Sequence, residues 1–330
     1  MKSLYVSQQG CYISLKNESL LVKQGETILN EVQLPLLEQV LIFGKSQVTT
    51  QAIISCLGRN ITIVYLSTMG YCYGRLIALA QGYRYLSRYQ QQISPEARLL
   101  VAKKIVWAKL KNSRVLLRRQ GQKVDSEILT ATLKSLEYLI EKCQKAVNIS
   151  QLMGYEGAGA ASYFNAFGEC LQSPDFLFLG RSRRPPGNPV NAMLSFGYQI
   201  LWNHLLALIE VQGLDPYFAC LHQDNERHPS LASDLIEEFR APIIDSLVLW
   251  LIKSKIMNSL ADFEYHNGGC FLNTSGRKKF LTAFVRRMEE RVDTGDEEKQ
   301  PRWDLLMCQV KNFKRFVYEP SLGYQPYLIR

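Results

Sequence analysis

The chain has 330 residues, 39 of them Lys or Arg and 30 Asp or Glu, which gives a formal charge of +9 and a pI near 9.1. With 47% hydrophobic and 21% charged residues it has a globular composition, which excludes a wholly disordered, collagenous or coiled-coil chain. At about 150 residues per domain the length suggests two domains.

The first ten residues, MKSLYVSQQG, lack an apolar leader core, and the apolar run Leu247 to Ile252 falls far short of the ~18 residues that span a bilayer. A soluble cytoplasmic protein with no membrane contact is expected. From residue 3 to about 76 the runs LYVS, CYISL, SLLVK, TILNEVQL, QVLIFG and NITIVYLS read as strands, with a helix over VTTQAIISCLG. Gly70 and Gly74 punctuate a last hairpin. Beyond residue 76 the apolar period becomes helical, around 95–120, 125–147, 149–170, 188–212, 230–260, 277–291 and 302–317. The segments RSRRPPGNP and VDTGDEEKQP read as loops. The expected fold class is α+β, with a β-rich domain over 1–80 and a larger, almost all-α domain over 81–330. The eight cysteines form no CxxC pair and read as buried, reduced thiols.

The positive charge is local. Between Arg75 and Lys123 stand twelve basic residues and one acid, Glu96, a net +11, so the remainder nets −2. On a helical period Leu99, Ala102, Val106, Leu110 and Leu117 share one face, while Lys104, Lys111, Arg114 and Arg118 line another with Trp107 among them. An ordinary solvated face would interleave acids at i,i+4, and this one does not. Polyanion binding is the reading favoured here.

Three motifs invite chemistry. Gly44-Lys45-Ser46 is not a phosphate loop, because position 39 is Gln where that motif needs Gly. The Gly154, Gly157 and Gly159 cluster lacks a preceding strand and the GxGxxG order, so close helix packing explains it better. Glu156, set among small and apolar neighbours, needs a partner or a metal. In LHQDNERHPSLASDLIEEFRAPIID, Ser230 reads as an N-cap, and Leu231, Leu235, Phe239 and Ile243 can face a core. Asp234 and Glu237 then lie three apart, where both could address one cation with His222 arriving from the preceding loop. The competing reading is an amphipathic surface in which Glu237 or Glu238 pairs with Arg240.

The blocks MGYEGAGAASYFNAF (153–167), FLGRSRRPPGNPVNAMLSFGYQIL (178–201) and GLDPYFACLHQDNERHPSLASDLIEEFRAPIID (213–245), with IFGKSQVTTQAIISCLGRNITIVYLSTMGYCYGRL near the start, resemble the CRISPR-associated integrase and endonuclease family that captures new spacers. The resemblance implies a homodimerising β-rich domain and an α-helical domain that holds a divalent metal. It puts the metal-ligating, catalytic set at Glu156, His222 and Glu237, with Asp234 in support, and leaves the division of labour between the two acids open. Such hard oxygen and imidazole ligands suit Mg²⁺ or Mn²⁺ better than zinc. It further implies joining of a DNA 3′-hydroxyl to a phosphodiester, protospacer and repeat DNA as partners, and a small companion subunit bridging two dimers. Arg84, Lys104, Lys111, Arg114 and Arg118, with Arg181, Arg183 and Arg184, are the candidate phosphate contacts. Lys278, Lys279, Arg286 and Arg287 are weaker candidates, and Tyr163 and Asn191 could wall the site. The alternatives are a structure-selective metal-dependent nuclease and a non-catalytic DNA-binding scaffold.

Overall fold

The computed structural model describes residues 3–68, 70–79, 84–122, 124–222, 228–293 and 299–329; Lys123 and the Arg84 side chain, both part of the basic stretch, lie outside them. The strand-like runs become β1 (Ser3–Val6), β2 (Tyr12–Lys16), β3 (Ser19–Gln24), β4 (Thr27–Gln33), β5 (Gln39–Phe43), β7 (Thr62–Leu66) and β8 (Cys72–Leu76), and a short β6 (Gln47–Val48) takes the start of the stretch expected as helix. Helix α1 (Thr50–Gly58) starts where the Thr49 hydroxyl accepts from Ala52 N. One sheet runs β1-β5-β7-β8, with β8 antiparallel to β7 and the other pairs parallel; the second runs β4-β3-β2-β6. The crossover through α1 makes β5 and β7 parallel, a pairing that strand periodicity alone does not specify.

All five residues of β5 are buried, and the period of two divides them between two cores. Val40 and Ile42 join Leu4, Val6 and Ile63 against the second sheet and α1. Leu41 and Phe43 join Val64 and Leu66 in the core of the helical part. The first sheet is therefore a wall with apolar packing on both faces. Gly44 closes β5 at φ +74°, where a Cβ would collide with the Gln9 side chain, so Gly-Lys-Ser here makes a tight turn.

Helix α2 (Arg84–Gln91) precedes the first expected helical segment, and the helical periods become α3 (Pro95–Gln120), α4 (Glu127–Gln144), α5 (Ile149–Glu169) and α6 (Pro189–Val211). Side chains of Ser94, Ser126, Asn148 and Asn188 cap the last four of these. Helix α6 is long and apolar enough to cross a membrane by composition, yet 83% of its most apolar window is buried inside the fold, as befits a central core helix.

The single helix expected over 230–260 is broken. It runs as α7 (Ser230–Leu235), a 3₁₀ turn (Ile236–Glu238), a π turn (Arg240–Asp245) and α8 (Ser246–Lys253). Pro242 is the physical reason: it has no N–H to give the carbonyl of Glu238, so the winding widens around it. Ser230, expected as the N-cap, is instead the first helical residue, and its hydroxyl donates to His228 O at 3.1 Å. Leu231, Leu235, Phe239 and Ile243 are all buried. A hairpin of β9 (Phe263–His266) and β10 (Gly269–Leu272) follows, then α9 (Thr274–Glu289), a short ladder of β11 (Arg291–Val292) and β12 (Gln300–Pro301), and α10 (Arg302–Tyr318). The hairpin lies between two of the expected helical segments, where no strand was expected. Of the eight cysteines all are free; six are buried, Cys72 is half-buried and Cys308 is exposed.

His204 on α6 pins the first sheet to the helices. It is fully buried, with the Tyr5 hydroxyl 2.6 Å from Nε2, the Gln39 amide nitrogen on Nδ1 and Trp303 4.8 Å away centre to centre. Burial lowers its pKa to about 3. An unfolded chain would take up a proton near pH 6.5 that the folded one refuses. Stability from this residue is thus complete above pH 6.5 and falls as the pH drops toward 3, by roughly 5 kcal/mol in all. Urea midpoints between pH 7 and 4 should show that loss, and His204→Gln should flatten it; an equally steep profile in the variant would remove His204 as the cause.

Candidate active site

Four chain segments converge on one buried patch. From α3 comes Lys109, from α5 Glu156, from the 3₁₀ turn Glu237 and from the π turn Arg240. Gly159, one turn after Glu156, faces Leu110 so closely that a Cβ would overlap it, and this contact draws α5 onto α3. Gly154 and Gly157 border open space, so the close packing expected of the cluster rests on Gly159 alone among the three. With the helices this near, the Lys109 ammonium bridges two carboxylates, contacting Glu156 Oε1 and lying 2.6 Å from Glu237 Oε2. Arg240 approaches the other Glu237 oxygen at 3.2 Å, the pairing expected if this segment were an amphipathic surface, although Glu237 is only 4% exposed. Burial would raise the Glu237 carboxyl, but Arg240 and Lys109 outweigh it and hold the group well below the usual carboxylate range.

Asp234 lies side by side with Glu237 in sequence but not in role. Its fully buried carboxylate accepts from three consecutive backbone amides, Cys220 N at 2.7 Å, Leu221 N at 2.9 Å and His222 N at 3.0 Å, and from His222 Nδ1 at 2.7 Å. It ties down the turn that carries His222 and orients the ring. Burial alone would lower the His222 pKa; the hydrogen bond and charge of Asp234, helped by Glu237, raise it above its ordinary value. Among the described residues His222 Nε2 makes no hydrogen bond.

Among the described residues, no three His, Cys, Asp or Glu side chains close into a metal cage, so the expected set of Glu156, His222 and Glu237 is not drawn together as one ligand cluster. Lys109 stands between the two glutamates, and Asp234 holds the ring from its far nitrogen. The donor set nevertheless suits a hard divalent cation. Glu237 Oε2 is buried and faces the Lys109 ammonium at 2.6 Å, so this carboxylate oxygen already meets a cation where a metal would be held.

A second buried acid lies beneath. Asp245 accepts from Tyr163 at 2.7 Å and Tyr198 at 2.5 Å; burial pushes it up to about 6 against the pull of those hydroxyls and of Arg240. Arg240 and Arg181 stack on the Tyr198 ring, 4.8 and 5.6 Å from its centre. Tyr163 therefore supports the floor of a small cavity that Lys109, Arg183 and Arg240 also line.

The candidate phosphate contacts divide. Lys104 and Lys111 hold their ammonium groups 5.7 and 4.3 Å from the Trp107 ring centre, half-buried and without an acidic partner among the described residues, and Arg118 is exposed. Arg114 is instead bound to Glu137 at 3.0 Å and to Leu133 O. The acids missing from the α3 sequence thus come partly from other helices. Arg183 and Arg184 are exposed. Arg181 is turned inward onto Asn191 Oδ1 and Ser195 Oγ, so it and Asn191 build the 180–182 loop. Lys279 is paired with Asp262, and Arg287 touches Ser246.

In the sequence Lys109 reads as one more surface cation. The signal that sets it apart is its register: it stands three residues after Val106, inside the apolar stripe, where a solvated lysine does not belong.

The family described as "CRISPR associated protein Cas1" matches residues 4–286. A CRISPR-associated exonuclease Cas4/endonuclease Cas1 fusion of Geobacter sulfurreducens is 35% identical over 88% of this chain, and the chain spans 53% of that relative. CRISPR-associated endonuclease Cas1 3 of Thermus thermophilus is 31% identical over 99% of this chain and 97% of its own length. In fold, a Cas1 protein from Thermotoga maritima superposes with TM-score 0.82 at 24% identity, covering 100% of both chains. A casposase bound to integration product gives 0.83 at 23% identity over 98% of this chain and 93% of that one. A chain of a Cas6-RT-Cas1–Cas2 complex gives 0.81 at 24% over 99% of this chain and 36% of that one. On these matches the chain belongs to the CRISPR-associated Cas1 family.

Proposed function

We propose that the protein is a divalent-metal-dependent DNA integrase and endonuclease, acting with Mg²⁺ or Mn²⁺ to insert short DNA fragments into a CRISPR array through attack of a DNA 3′-hydroxyl on a phosphodiester. The observation that carries this reading is the convergence of Glu156 and Glu237, from separate helices, on one cationic position beside a histidine oriented by Asp234. Lys109 supplies a single charge there. Glu156, Glu237 and His222 Nε2 would hold the metal once Lys109 swings aside, with Asp234 fixing the ring. The ion would contribute Lewis-acid polarisation of the phosphoryl oxygen and charge stabilisation of attacking and leaving oxygens. The chain's own task is alignment: Arg240, with Lys109 until it swings aside, keeps Glu237 ionised, and Arg183 stands at the rim for a phosphate.

The family's relatives named as endonucleases, and the fold shared with a casposase bound to integration product, support the chemistry. Lys104, Lys111 and Arg118 give a cationic face for duplex DNA, and Trp107 lies among them. Dimerisation through the β-rich part is in keeping with β4, an edge strand that exposes Ile28 and Leu29 at 54% and 40%. A small companion subunit bridging two dimers accords with the fold match to a Cas2-containing complex.

Titrating Mn²⁺ and Mg²⁺ against both cleavage and strand transfer tests the reading: products that appear only with metal support it, and DNA binding without products at any metal concentration would leave the scaffold. Reversing Lys104, Lys111 and Arg118 to Glu should weaken duplex binding and flatten the plot of log K against log salt, by about 0.9 in slope for each phosphate no longer neutralised. An unchanged slope would return α3 to a solvated surface.

A further inference from the structure

We propose that the last turn of the chain, residues 319–329, is a strap that positions Glu237, working through Asn112 and Glu238; the idea rests on the metal-dependent reading above. It begins with the break at Pro242. The Glu238 carbonyl, denied its helical partner, accepts from the Asn112 side-chain amide at 2.8 Å. Asn112 sits on α3 one turn beyond Lys109 and is 1% exposed, a polar residue inside an apolar stripe.

The same amide nitrogen donates to Tyr327 O at 3.0 Å, and Asn112 Oδ1 accepts from Ile329 N at 3.0 Å. One buried side chain thus joins α3, the turn bearing Glu237 and the end of the chain. The Glu238 carboxyl group completes the connection. It is fully buried and accepts from the Tyr324 hydroxyl at 2.5 Å and from Tyr327 N at 2.7 Å. Gln309 on α10 holds the Tyr324 oxygen at 2.6 Å, so that hydroxyl is directed at Glu238. The Tyr327 ring stacks on Phe239, 5.1 Å away and 19° from parallel.

Successive residues of a 3₁₀ turn point about 120° apart. Glu237 therefore faces Lys109 and Glu156 while Glu238 faces the strap, and the two cannot shift independently. The backbone carbonyl of Glu238 is held by Asn112 and both of its side-chain oxygens by the strap. With Glu238 held this way, the turn that bears Glu237 keeps its place when the cation facing Glu237 changes, which the exchange of Lys109 for a metal requires. Tyr324, Asn112 and Glu238 are positioning residues, since none touches the site itself.

The test compares the full-length wild type with Tyr324→Phe, which removes the hydroxyl and keeps the ring. Mn²⁺ binding is read by electron paramagnetic resonance of the free ion, alongside the strand-transfer rate and the Kd for DNA. Tyr324→Phe should weaken Mn²⁺ binding and slow transfer about tenfold or more, the range for partners that support a ligand, with DNA affinity within about twofold. Phe284→Leu, a core change that leaves the strap alone, should keep wild-type Mn²⁺ binding. Wild-type metal affinity in folded Tyr324→Phe, or an equal loss in Phe284→Leu, would overturn the inference. Should Tyr324→Phe not fold, Tyr327→Leu, which removes the stack on Phe239 but keeps the amide on Glu238, gives the same comparison. A wild type that neither binds Mn²⁺ nor forms product overturns the metal reading itself, and the strap with it.

Discussion

Glu156→Gln should lose more than about 100-fold in metal-dependent strand transfer while folding and binding DNA as the wild type does. The expected size follows from role: residues that merely support a metal ligand cost about 10–100-fold, and Glu156 is proposed as a ligand. The substitution keeps the shape and removes the charge at a side chain that is 17% exposed and, among the described residues, is ion-paired with Lys109 alone. The basic face of α3 is left intact. Purified Glu156→Gln, assayed with Mn²⁺ for product and without it for DNA affinity, checks this. Near-normal turnover would remove Glu156 from the centre and leave Glu237 and His222 without a third ligand.

Glu237 is a less clean probe, for a reason only the structure supplies. Its carboxylate is the partner of both Lys109 and Arg240, so Glu237→Ala takes the ion pair from the largely buried Arg240 and leaves Lys109 with Glu156 alone. Breaking one partner out of a buried ion pair typically costs about 3–5 kcal/mol. Loss of activity in that variant would mix chemistry with unfolding.

How much of the fold and site is legible in the sequence depends on whether a residue's role is local. Strand and helix periods are local, and β1 to β5, β7, β8 and α3 to α6 fall where the alternation and the 3.6-residue spacing put them, whereas the two-residue β6 is too short to show a period. Pairing is not local: nothing in QVLIF says that Leu41 and Phe43 face one core while Val40 and Ile42 face another. Pro242 stands in plain view inside the 230–260 period, and its missing N–H suffices to forecast a break before it. The acids show their spacing but not their partners. Asp234 and Glu237, three apart, are equivalent on a helical wheel; three amides of the 220–222 turn take one, and Lys109 takes the other. The misplaced polar residues of the α3 stripe, Lys109 and Asn112, are the legible signs of both the site and the strap.

The largest effect of all should come from the DNA rather than the protein. Hydrolysis aligns water against the scissile phosphate, whereas integration aligns the 3′-hydroxyl of a DNA end in the same place, so both reactions draw on the same residues and differ only in the nucleophile. Glu156, His222 and Glu237 cannot discriminate between them. The proposed integrase draws its support from the distribution of the cations. Lys104, Lys111 and Arg118 occupy one face of α3, and Arg183 and Arg184 stand exposed on a separate loop, with Arg183 beside the Lys109 and Arg240 cavity. Two cationic surfaces fit a protein that holds a donor and a target duplex together; a simple nuclease needs one. With the companion subunit present, a duplex fragment bearing a free 3′-hydroxyl should therefore join a supercoiled target, and a 3′-dideoxy or 3′-phosphate end should abolish the joined product. Gel analysis of labelled fragments measures this directly. Equal products from free and blocked ends would mean that water is the nucleophile, and the nuclease would replace the integrase as the reading of this site.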